Sequence, residues 1–122
     1  MIDFKVLIKS FHYAFEGIAY TLKYNQNIRI HLFVALLVVI ASIIFKVTPF
    51  EMGILGIMII LVISTEMINS AIEQMVNLII QEHRKEAKVA KDVGAGMVLV
   101  TSLGSVVVGI LIFVPHILRL FK

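Results

Sequence analysis

The sequence predicts an all-α integral membrane protein, with an amphipathic helix on the membrane surface followed by three transmembrane helices. Three observations predict it. Of 122 residues, 60% are hydrophobic, and the mean hydropathy is +1.01. A soluble domain is nearer ~45–50% apolar, and a globule of this size cannot hide the excess from water. The apolar residues gather into long runs, separated by a Thr-Pro break and a charged stretch, whereas the N-terminal segment mixes Phe and Ile with Lys at helical spacing. Residues 1–122 read as a single membrane domain.

The first element covers residues 2–23. Ile2, Phe4, Val6, Leu7, Ile8, Phe11, Phe15, Ile18, Ala19 and Leu22 recur at roughly helical spacing, with Lys5, Lys9, Glu16 and Lys23 between them. That pattern suits a helix lying in the headgroup region; a plain surface helix against a core is the alternative. Residues 24–31 (YNQNIRIH) are polar and interfacial. The first span is expected over 30–47, where only His31, Ser42 and Lys46 interrupt the apolar run. It is short against the ~20 residues a span needs, which is acceptable where the ends are interfacial. Thr48-Pro49 then stops the helix.

Residues 50–81 read as one long helix, longer than a ~30 Å hydrocarbon core requires. The charged segment 82–92 (EHRKEAKVAKD) belongs in water or headgroups. The third span is expected over 93–118, with Pro115 and Arg119 marking its end. Its small residues Gly94, Ala95, Gly96, Ser102, Gly104, Ser105 and Gly109 point to close helix packing and are compatible with a homo-oligomer.

Charge orients the chain. One side would hold Lys5, Lys9, Lys23, Arg29, Arg84, Lys85, Lys88 and Lys91, the other Lys46, Arg119 and Lys122; eight cations against three place the first side in the cytosol. A net charge of +3 without a basic cluster on a soluble fold makes nucleic acid an unexpected partner. No cysteine is present, so disulfides and thiolate metal sites are excluded. The N-terminus lacks a compact apolar core and a small-residue cleavage site, so no signal peptide is expected. The histidines at 12, 31, 83 and 116 have no ligand spacing, and none is read as a metal site.

Function is written in a polar stripe within the second span. Glu66, Asn69, Ser70, Glu73 and Asn77 fall on one helical face of an otherwise lipid-like segment. A charge at the centre of a membrane helix costs roughly 2.5–3.5 kcal/mol on insertion scales, so such groups face protein or a wet cavity. One carboxylate can take a proton from a lipid hydroxyl. Another can hold Mg²⁺, which binds through one or two carboxylates plus substrate phosphates. Nearby lysines can offset phosphate charge. Together these describe phosphoryl transfer to a lipid at the interface. No P-loop, Gly-rich kinase loop, HRD or DFG pattern is present. The competing readings are polar glue between helices for Asn69 and Asn77, a proton or ion path, and, for Lys91-Asp92, a capping and charge arrangement.

Four blocks carry a resemblance: Phe11–Gly17 (FHYAFEG), Asn27–His31 (NIRIH), Glu66–Glu73 (EMINSAIE) and Ala90–Leu99 (AKDVGAGMVL). In this order and spacing they resemble the bacterial diacylglycerol kinase/undecaprenol kinase family, with AFEG and R-x-H nearer its Gram-positive undecaprenol kinase branch. The resemblance implies a homotrimer in the cell membrane with active sites between subunits on the cytosolic side, acting on a lipid alcohol with ATP and Mg²⁺. It implies Glu66 as catalytic base and Asn69 as support for the reacting groups. Glu73 would be a metal ligand, Lys91 and Asp92 nucleotide contacts with Lys91 on the phosphates, and Lys9, Tyr13 and Glu82 further nucleotide contacts. The family's second metal ligand is a glutamate where this chain has Asn25, whose carbonyl oxygen can bind Mg²⁺ without bringing charge. Asn77 stands where aspartate is common, and Arg84 where histidine is usual. Undecaprenol is the expected substrate, with diacylglycerol the alternative; a small ion or proton carrier and a structural membrane subunit are the rivals from other classes.

Overall fold

A computed structural model describes residues 1–80, 82 and 84–122; Gln81, the expected last residue of the second span, and His83 lie outside them. Four helices follow in order: α1 (Phe4–Tyr24), α2 (Gln26–Ile44), α3 (Pro49–Ile79) and α4 (Lys85–Arg119). The last three are each long and apolar enough to cross a membrane.

Helix α1 begins at Asp3, whose side chain accepts from the backbone N–H groups of Lys5 and Val6. Phe4, Ile8, Phe11 and Phe15 are exposed, and only Thr21 is buried. A helix with this much uncovered Phe and Ile beside lysines fits the membrane surface. A single residue separates it from α2. Asn25 adopts an extended conformation (φ −103°, ψ 108°) and serves both as C-cap of α1 and as N-cap of α2. The polar stretch expected at 24–31 is therefore helical from Gln26 onward. One Asn cap suffices to restart the chain, so the break occupies one position.

At the opposite end, α2 stops at Ile44 and Lys46 turns the chain through a positive φ of 53°. Thr48, Pro49 and Glu51 then start α3 with a reciprocal capping box, proline sitting where its missing N–H costs nothing. Helix α3 spans 31 residues and α4 35, so each outruns a ~30 Å core by several turns at about 1.5 Å per residue.

Helix α4 begins earlier than the apolar pattern suggests, at Lys85 rather than Val93. Its first turns are charged but helix-competent, and Lys88 pairs with Asp92 at i,i+4, 2.6 Å apart. It also runs through Pro115 to Arg119, one residue beyond the span expected to 118. Interior prolines are tolerated in membrane helices because neighbouring groups re-satisfy the freed carbonyl.

The bundle core is thin. Helix α3 packs chiefly on α4, with α2 alongside. Buried apolar side chains are Ile28, Val47, Leu55, Val62, Ala87, Val98 and Ile112. Thr65 and Thr101 face each other across α3 and α4 with hydroxyl oxygens 3.0 Å apart. Most large apolar residues of the spans are uncovered, as expected of a chain whose solvent is lipid or another subunit.

Candidate active site

The α1–α2 junction lies against the polar stripe of α3. Glu66 is 1% exposed, making it one of the most deeply buried side chains in the protein. Each of its carboxylate oxygens has a neighbour from outside its own helix. The Asn25 side-chain amide donates to Oε2 at 3.2 Å, and His31 Nε2 lies 3.2 Å from Oε1. Asn25 also donates to Ser70 Oγ at 2.7 Å. A buried carboxylate without such neighbours would bear the full cost of desolvation; hydrogen bonds to charged groups each return about 1.5–3 kcal/mol.

Around this cluster opens a cavity of about 240 Å³ lined by Tyr20, Tyr24, Asn25, Glu66, Asn69, Ser70 and Glu73 among others. The stripe residues Glu66, Asn69, Ser70 and Glu73 thus share one space. Glu66 sits at its buried wall and Glu73, two helical turns away, at its exposed mouth. Asn69 is 8% exposed, and its carbonyl Oδ1 has no hydrogen-bond partner among the described residues. A Cβ placed on Gly94 of α4 would come within 2.5 Å of that oxygen. Gly94 is therefore the position where the missing side chain lets α4 close onto α3. By contrast, a Cβ at Gly96 or Gly109 would meet nothing within 4 Å.

A second recess of about 760 Å³ lies where α3 gives way to α4, lined by Asn77, Glu82, Arg84, Lys85, Lys88, Lys91 and Asp92 among others. Among the described residues, four cations and two carboxylates make it net positive, suited to a polyphosphate. Arg84 pairs with Glu82 at 3.6 Å and Lys88 with Asp92 at 2.6 Å. Lys91 lines the recess half-buried and has no carboxylate partner among the described residues.

The expected site residues therefore fall into three groups. Asn25, Glu66, Asn69 and Glu73 share the smaller cavity, and Glu82, Lys91 and Asp92 share the larger recess. Lys9 and Tyr13 lie exposed on α1 and line neither; they sit about 24 and 18 Å along the helix from Asn25 at about 1.5 Å per residue. The sequence reading left out His31, Lys85 and Lys88 as site residues. For His31 no spacing gave a signal, since six residues from Asn25 is not a shared-face interval on a helix, and its pairing with Glu66 is made by the packing of α2 on α3.

Among the described residues no group of three or more His, Asp or Glu side chains could hold a metal. One exposed carboxylate, Glu73, beside a cationic recess fits an ion that arrives on substrate phosphates and keeps most of its waters. Asn25 offers less than its residue type suggested, because its carbonyl oxygen already accepts from the N–H groups of Asn27 (2.9 Å) and Ile28 (3.3 Å).

A multi-pass membrane protein with a buried carboxylate, a neighbouring carboxamide and a cationic recess at one end of its bundle is the class that fold and site define. The prokaryotic diacylglycerol kinase family model matches residues 12–113, and this chain belongs to that family of membrane lipid kinases. It is 37% identical over 109 residues to the undecaprenol kinase of Bacillus subtilis strain 168, covering 89% of each chain. It is 34% identical over 115 residues to a diacylglycerol kinase of Synechocystis sp., covering 93% of this chain and 66% of that protein.

Proposed function

We propose that this protein transfers the γ-phosphoryl group of ATP to the hydroxyl of undecaprenol, at the cytosolic face of a bacterial cell membrane. The observation that carries the reading is the buried carboxylate of Glu66 in a cavity shared with Asn69, Ser70 and Glu73, beside a cationic recess. The eight-to-three cation bias supports the cytosolic side. The similar length and identity shared with the undecaprenol kinase support the polyisoprenoid. The likeness to a diacylglycerol kinase keeps diacylglycerol as the second reading.

In this mechanism the lipid enters sideways from the bilayer with its hydroxyl beside Glu66. Glu66 accepts the hydroxyl proton as the oxygen attacks the γ-phosphorus, and ADP leaves. The carboxamide of Asn69 supports the reacting oxygens. Lys91, with Lys85, Lys88 and Arg84 around it, offsets phosphate charge in the recess; Glu82 and Asp92 contact the rest of the nucleotide. Glu73 would hold Mg²⁺, which when bound neutralises charge shared between the β- and γ-phosphates. Most of the acceleration comes from positioning and fixed charge, as phosphoryl transfer requires. Lys9 and Tyr13 line neither cavity of one copy, so in this reading they contact the nucleotide held by a neighbouring copy of a homotrimer.

Phosphate transfer from labelled ATP to undecaprenol and diacylglycerol, offered in parallel in detergent micelles with Mg²⁺, tests the reading. Undecaprenol is expected to be the better acceptor, and Glu66→Gln to cut transfer by about 10³-fold while ATP still binds. A preference for diacylglycerol would overturn the substrate, and retained turnover in Glu66→Gln the base.

A further inference from the structure

Among the described residues, Asn25 touches the base, the stripe and two helix ends together. Its carbonyl oxygen accepts from the N–H groups of Asn27 and Ile28, and its amide donates to Glu66 Oε2 and to Ser70 Oγ. Both amide hydrogens are used, and the carbonyl is committed to the helix cap. The opposite orientation would set a carbonyl against a carboxylate and turn an amide toward two backbone N–H groups, so the hydrogen-bond pattern fixes which atom is which.

We propose that Asn25 is a positioning residue that fixes the buried carboxylate of Glu66 for proton transfer, rather than a ligand for the nucleotide's metal ion. The proposal rests on the kinase reading above. A negatively charged residue at position 25 could cap α2 equally well. It could not donate to Glu66 or Ser70, and it would bring a second carboxylate to the oxygen that Asn25 now contacts at 3.2 Å. The amide thus lets one carboxylate sit buried and oriented at the end of a membrane span. Because Asn25 is also the hinge between α1 and α2, the orientation of Glu66 is tied to the docking of the surface helix.

Asn25→Asp separates the two roles, since it preserves size and cap while removing the donors. The assay is turnover at saturating lipid and ATP across a Mg²⁺ titration, paired with thermal midpoints of the full-length protein in detergent. The expected result is a fall in kcat of about tenfold to a hundredfold, the range that one charged hydrogen bond commands. The Mg²⁺ concentration for half-maximal rate should not change. The midpoint should fall, and adding Glu66→Gln should raise it again, because a glutamine amide can donate to the new carboxylate and restore the pair with reversed polarity. A kcat that holds while the Mg²⁺ requirement drops would make position 25 a metal ligand and overturn the proposal. A double variant that melts no higher than Asn25→Asp would overturn the clamp independently of turnover. Absence of phosphate transfer by the unaltered protein would defeat the kinase reading, and the thermal cycle would still judge the contact.

Discussion

The two ends of the bundle each hold a histidine beside a glutamate, and the two pairs serve different ends. Far from the polar stripe, His116 Nε2 meets Glu51 Oε1 at 3.0 Å and Oε2 at 3.3 Å, joining α4 to α3. Glu51 is also committed to the backbone, accepting from the Thr48 N–H at 3.0 Å in the capping box. The side chains around that end include the apolar cluster Val47, Leu55 and Ile112. At the other end, the neighbours of Glu66 are side chains rather than backbone groups, and Glu66 opens onto a cavity with an unpartnered carbonyl oxygen nearby. A carboxylate absorbed by a cap and a closed apolar cluster is a fastener. A carboxylate held by side chains beside polar space can do chemistry.

The contrast can be sharpened by perturbing each end. Short of removing the Glu66 carboxylate itself, the largest effect is expected from Gly94→Ala, whose added methyl would come within 2.5 Å of Asn69 Oδ1 and push the carboxamide out of the cavity. Displacing a positioning group by about 1 Å costs on the order of 10²-fold, so kcat should fall by about that factor while the helical content by circular dichroism is kept. A smaller loss, about tenfold in kcat, is expected for His31→Leu, which strips the neighbour from Glu66 Oε1. His31→Gln should recover part of it; equal losses in the two variants would remove the polar role of His31. The smallest functional effect belongs to the far end. Thr48→Ala removes a cap worth about 1 kcal/mol, lowering the thermal midpoint without changing kcat.

Much of this was legible in the sequence because membrane burial is strict. Long apolar runs and the Thr-Pro break announce the spans through period and composition alone, and the stripe brings Glu66, Asn69, Ser70 and Glu73 to one cavity while Asn77 lines the other recess. Helix ends were harder to read. Asn25 restarts a helix with one residue, and Lys85–Asp92 is helical despite being charged, since hydropathy reports the solvent a segment prefers and not its backbone conformation. The long-range pairing of His31 with Glu66 across 35 positions, and of His116 with Glu51, depends on how three helices pack, which spacing within one helix cannot reveal. The commitment of the Asn25 carbonyl to a cap is local, made to the N–H groups two and three residues on, but the residue type alone does not announce it, because asparagine serves caps and cations equally well.

The most direct test compares Glu66→Gln with Glu51→Gln in one preparation, measuring labelled-phosphate transfer to lipid alongside the thermal midpoint. The account expects Glu66→Gln to lose about 10³-fold in turnover, within the range of a general base, while remaining folded. Glu51→Gln should melt lower and keep its turnover at temperatures where it is folded. Comparable turnover losses in both variants, or an active Glu66→Gln, would contradict the division between a reactive end and a fastened one.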